Sequence, residues 1–206
     1  LNLGLTQLAG TIPYSLSELM ALTYMNLGTA NLVGTIPSSL SALTALQLLY
    51  LDTNALNGTI PDDLGLLRNL TYLSLYNNSL TGTIPASLGQ LTALGTLSLR
   101  ENALTGSIPS ALSELKALKT LDLSVNEVTG TIPSSLGQLA NMFEFRVNHT
   151  PLLSGTIPSE IANLRSLAVA WFHNTSMTGT VPPLCSLNNA LRQLVVDCLE
   201  VSCTCC

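Results

Sequence analysis

Side chains able to do chemistry are scarce in this 206-residue chain, and they gather toward its C-terminal end. His149 and His173 are its two histidines, and Asp197 and Cys198 follow one step further along. A cysteine, a histidine and an aspartate are the raw inventory of a nucleophilic site, and all three are also metal-ligand types. The surrounding sequence supports neither chemistry. No insertion stands ready to wall a pocket around the group, His149 lies inside an Asn148-His-Thr glycosylation pattern, and Cys198 fits a cysteine-rich cap better. Carboxylates are sparse and scattered, and no glycine-rich phosphate loop opens a helix. The chain therefore reads as a protein without a catalytic centre, a resident metal or a cofactor.

All five cysteines (Cys185, Cys198, Cys203, Cys205 and Cys206) fall in the last 22 residues. Such clustering suggests a disulfide-braced end, which needs an oxidising compartment. The rival, a zinc knot built on "CTCC", matches no usual zinc spacing. The pairing is not readable from sequence, and an odd count leaves one thiol over. Five glycosylation patterns, at Asn57, Asn69, Asn77, Asn148 and Asn174, point the same way. Together these features predict a glycoprotein that is secreted or held on the extracellular face of the cell. Net charge is −5, with 7 basic against 12 acidic residues and no basic stripe, which argues against a nucleic-acid partner. No apolar run approaches the roughly 18–20 residues that span a bilayer.

The elements that position these residues follow a clock. "GTIP" or a close variant begins at Gly10, Gly34, Gly58, Gly82, Gly106, Gly130, Gly155 and Gly179, at intervals of 24 residues with one of 25. A period in this range marks a solenoid, in which each turn packs on its neighbours and the whole is one elongated domain. The full pattern is L-x-x-L-x-x-L-x-L-x-x-N-x-L-x-G-x-I-P. Its central L-x-L predicts a strand that buries pairs such as Leu49 with Leu51, or Leu97 with Leu99. Asn54, Asn78, Asn102 and Asn126 follow those strands, where a side-chain amide can satisfy buried backbone groups of adjacent turns. Glycine then permits close backbone approach, and proline ends a second extended segment. Leucines at three- and four-residue spacing beyond it predict a short helical or 3-10 return on the outer side. The pattern departs at Thr6, Ala30, Thr150 and Thr175 in place of asparagine. Pro151 reads as the insertion behind the 25-residue interval. Phe145 with Val147, and Ala170 with Phe172, replace the leucine pair in turns seven and eight.

Residues between and beside the buried pairs face solvent on the inner sheet, with equivalent positions about 4.8 Å apart. Tyr24, Tyr50, Tyr72 and Tyr76 form one predicted aromatic patch across turns two to four. Arg146, Trp171 and His173 form another near the C-terminal end. Tyrosine, tryptophan and arginine are the types enriched at binding hot spots, so these seven are the candidate ligand-binding residues. A third surface carries Thr11, Thr35, Thr59, Thr83, Ser107, Thr131, Thr156 and Thr180, each directly after a corner glycine. With Thr81, Thr105, Thr129 and Thr178 they predict an outward hydroxyl ladder.

The eight G-[TS]-[IV]-P corners in register with L-x-L resemble the plant-type leucine-rich-repeat family, over residues 1 to about 197. The resemblance implies an α/β solenoid of about eight to nine 24-residue repeats. A parallel sheet would line its concave face, with helical or 3-10 returns on the convex face. It divides the chain into a solenoid at 1–184, lacking an N-terminal cap, and a C-terminal turn with a cysteine-rich cap at 185–206. The family's members include receptor-kinase ectodomains, receptor-like proteins and inhibitors of cell-wall hydrolases. By that resemblance the concave face would bind a protein, peptide or glycan. Two other expectations stand beside it. One is a structural glycoprotein that self-associates through its open N-terminal edge, where Leu1 and Leu3 would be the first core pair. The other is an ice-binding protein that uses the threonine ladder.

Overall fold

The computed structural model describes residues 1–6, 8–180 and 191–197, together with the backbone of 201–202. The five cysteines lie outside the described residues, and so does the cap expected from them.

Most coils repeat three short elements. The first is a three-residue strand, and eight of these stack in chain order, from Tyr24–Asn26 to Gln193–Val195, into one parallel sheet. Their register places core on core: Leu49 opposes Leu73, Leu97 opposes Leu121, and Phe145 opposes Ala170. The two leucines of each L-x-L in turns three to six point into the coil and are fully buried, Leu49 and Leu51 among them. Where turns seven and eight substitute aromatics, Phe145 and Phe172 meet edge-to-face with ring centres 5.5 Å apart. The small Ala170 beside them leaves room for that pair. Leu1 and Leu3, the predicted first pair, are partly buried against this core.

The second element is another extended segment. The segments Gly10–Thr11, Leu32–Thr35, Ala55–Thr59, Ser79–Thr83 and Ala103–Thr105 form a five-stranded parallel sheet along the flank. Isolated bridges continue it through Ser107 with Thr129 and Gly130 with Leu153. At Thr150–Gly155 the pairing with Thr175–Met177 shifts register between Thr150 and Ser154, which spans Pro151. The inserted residue thus falls in an irregular stretch of the pairing.

The third element is a five-residue 3-10 return, as at Ser38–Ala42 or Ala86–Gln90. A proline precedes each one with φ between −61° and −69°. Its fixed φ starts the turn, and its carbonyl accepts the first bond, as from Leu40 N–H to Pro37 at 3.1 Å.

Asparagines at the end of each strand tie the turns together. Asn54 Oδ1 accepts the N–H groups of Ala30 and Leu32 at 3.1 and 2.9 Å, while its Nδ2 donates to the carbonyls of Leu27 and Leu51. Asn78, Asn102 and Asn126 repeat this bridge one turn at a time. The threonines that depart from the pattern do less. Thr150 and Thr175 donate only to carbonyls of their own turn, Val147 and Phe172.

Candidate ligand-binding face

The concave sheet is built from residues that alternate with the buried leucines, so their side chains emerge side by side on one surface. Three of the four predicted tyrosines meet there. Tyr50 and Tyr72 stack at 4.7 Å between ring centres with planes 28° apart, and Tyr24 tilts against Tyr50 at 5.8 Å. Tyr72 occupies the column before the core pair and Tyr50 the column within it, so the stack runs diagonally between adjacent strands. Tyr76 stands further along the same turn and is 37% exposed. Burial in this cluster, with the neighbouring phenols and Asp52, raises the Tyr50 and Tyr72 pKa values above the ordinary 10.0.

Asp52 was not among the residues picked out by sequence, yet it lies at the centre of this patch. Its carboxylate leans over Gly28, where an added Cβ would come within 3.1 Å of Oδ2. Asn26 leans over Gly4 in the same way. Burial raises the Asp52 pKa above 3.8, against a smaller opposing influence from Ser74, its own peptide N–H and Tyr76. Ser74 is fully buried beside it. The legible signal was the run of Gly4, Gly28 and then Asp52 in the column after the core pair, small residues preceding a long one.

The second patch is assembled differently. Arg146 pairs with Glu144 and, at 3.4 Å, with the buried Asp122, and its guanidinium lies 4.3 Å from the centre of the Trp171 ring. Asp122 also accepts the Ser124 N–H at 3.0 Å. Arg146 is therefore a neutralised, stacked group rather than a free cation. His173 packs edge-to-face on His149 with centres 5.1 Å apart and tilts against Trp171 at 6.2 Å. Asn174 bonds His149 Nδ1, and Asp197 accepts the peptide N–H groups of Asn174 and Thr175. Among the described residues no group of three or more His, Cys, Asp and Glu converges as a metal site.

Of the predicted glycosylation asparagines, Asn57, Asn69, Asn77 and Asn174 are exposed, whereas Asn148 is only 6% exposed. The threonine ladder lies outward, every one of its eight corner residues being exposed. Its methyl groups are seated: a Cβ added to Gly58 would come within 2.9 Å of Thr35 Cγ2, and Gly34, Gly82, Gly106, Gly155 and Gly179 receive the preceding threonine likewise.

Stacked parallel strands, an asparagine ladder and 3-10 returns define a leucine-rich solenoid. The Leucine Rich Repeat family model matches residues 69–91, 93–115 and 117–139. The chain is similar to the ectodomain of the receptor kinase GASSHO1/SCHENGEN3 from Arabidopsis thaliana, solved with Casparian strip integrity factor 2. Identity there is 36% and TM-score 0.86, over 92% of this chain and 22% of that one. It is similar also to the Arabidopsis receptor kinase HAESA ectodomain in complex with an extended IDA peptide hormone. Identity is 30% and TM-score 0.87, over 96% of this chain and 34% of that one. A plant ice-binding protein matches at 25% identity and TM-score 0.63, over 93% of this chain and 78% of that one. No curated protein matches the sequence. The chain is a plant-type leucine-rich-repeat protein. It spans about a fifth to a third of the receptor ectodomains it matches.

Proposed function

We propose that this chain is an extracellular recognition module that holds an extended peptide or protein segment on its concave sheet. The observation that carries the reading is the stacked Tyr24–Tyr50–Tyr72 platform on that face. Partly exposed aromatics held rigid by their neighbours contribute contact area at low entropic cost. Similarity to ectodomains solved with peptide hormones supports a peptide over a glycan. Selection from a displayed library of extended peptides supplies binders. Tyr50→Ala with Tyr76→Ala, or Trp171→Ala, should weaken them by about tenfold or more. Binders indifferent to all three substitutions would overturn the placement. Asn57, Asn69, Asn77 and Asn174 are the proposed glycan carriers, and intact mass before and after deglycosylation counts them.

A second reading rests on the flank. The exposed threonines, their methyls seated on the next turn's glycine, make a regular and rigid hydroxyl surface, and the likeness to a plant ice-binding protein favours a role for it at ice. Thermal hysteresis that disappears in Thr59→Tyr and Thr83→Tyr, but survives Tyr50→Ala, is the expected result. Absence of hysteresis and of recrystallisation inhibition in the unaltered protein removes this reading.

A further inference from the structure

Among the described residues Asp52, Asp122, Glu144 and Asp197 stand on the concave strands or just after them, and three of them have their partners. Asp122 and Glu144 share Arg146, and Asp197 caps the peptide N–H groups of Asn174 and Thr175. Arg100, the other cation of the face, is paired with its neighbour Glu101. Asp52 alone has no lysine or arginine paired with it among the described residues. It lies instead among aromatic rings. Tyr50 precedes it by two positions on the same surface, Tyr72 stacks on Tyr50, and the Tyr76 phenol approaches its carboxylate. Gly28 leaves the space into which that carboxylate leans.

A carboxylate with no basic partner, set beside stacked tyrosines, is complementary to one class of group. A cation gains from the negative faces of the rings and from the carboxylate together, and an anion is repelled by both. The ring stack is preformed, so little ordering is needed on binding. We infer that the Tyr24–Tyr50–Tyr72–Tyr76 patch around Asp52 is a subsite for a cationic side chain, arginine or lysine, of the bound peptide. The inference rests on the concave-face reading above and names the chemistry that one part of the face selects. The Arg146–Trp171 pair, with its own acids in place, adds no second charge-selective subsite.

The test uses the whole chain and three blocked tripeptides: acetyl-Gly-Arg-Gly-amide, its uncharged near-isostere with citrulline, and the glutamate analogue. Tyrosine ring resonances are followed by NMR during titration. The arginine peptide should shift the Tyr50 and Tyr72 rings and bind about tenfold more tightly than the citrulline peptide, as an exposed cation–π contact plus one ion pair implies. Asp52→Asn should remove most of that difference between the arginine and citrulline peptides. Rescue by Asp52→Glu would tie the effect to charge rather than to packing. Equal binding of arginine and citrulline peptides, or no ring shift with any of them, overturns the subsite. Equal binding with shifts along the concave strands leaves the peptide-binding reading intact. Conversely, ring shifts specific to arginine, with library binders mapping elsewhere, would sustain the subsite and refute that reading.

Discussion

Val125 holds φ at 55°, in the left-handed region, immediately before the ladder residue Asn126. Thr53, Asn77, Glu101, His149 and Asn174 hold the same conformation at the equivalent step, so the coil demands it whatever the side chain. A β-branched residue there is strained, whereas asparagine tolerates the region. Val125→Asn is therefore expected to stabilise the protein by about 1 kcal/mol in chemical denaturation. Asp52 offers a second test. Because burial raises its pKa above 3.8, the folded protein holds the proton more tightly than the unfolded chain does. Its contribution to stability is present in full below that value and is lost as pH rises through the higher folded value. Asp52→Asn should then raise Tm at neutral pH, and the gap from the unaltered protein should close in acid. A gap that widened in acid would contradict the assignment.

At the scale of the element, the asparagine bridge and the 3-10 return limit how closely turns can stack. Asn126 is buried and serves the Leu104 N–H and the carbonyls of Leu99 and Leu123 at 3.0–3.1 Å. Asn126→Ala strands those backbone groups away from water and should cost about 3 kcal/mol. Asn126→Thr should recover only part of that loss, since Thr150 shows a threonine reaching just its own turn. In the returns the limiting residue is glycine. A methyl at Gly89 would collide with the Ala111 carbonyl of the next coil, a backbone atom that cannot swing aside. Gly89→Ala should destabilise more than an alanine at the exposed neighbour Gln90, measured on the same denaturant curve.

At the scale of the molecule, a solenoid's stability is a sum of turns and of the interfaces between them, so it need not be uniform. Turns three to six carry the asparagine bridge, and turns seven and eight carry Thr150 and Thr175 in its place. Amide exchange should accordingly be slowest around 75–126 and faster around 172–177, in peptides resolved by mass spectrometry. Uniform protection along the coil would show that the ladder does not set the gradient.

Much of this architecture was written in the local period. The L-x-L strand, the asparagine step, the glycine corner and the proline-led return recur every 24 residues, and each is set by contacts within a coil or with the next one. The concave placement of Tyr24, Tyr50 and Tyr72 followed from strand alternation alone. What the sequence could not specify was the direction in which side chains lean across coils. That direction places Asp52 over Gly28, pairs Arg146 with Asp122 and Glu144, and covers Asn148. Such choices depend on which neighbour leaves space and which carries opposite charge one turn away. The repeat determines that those neighbours meet, and only the packed coil decides how they share the surface.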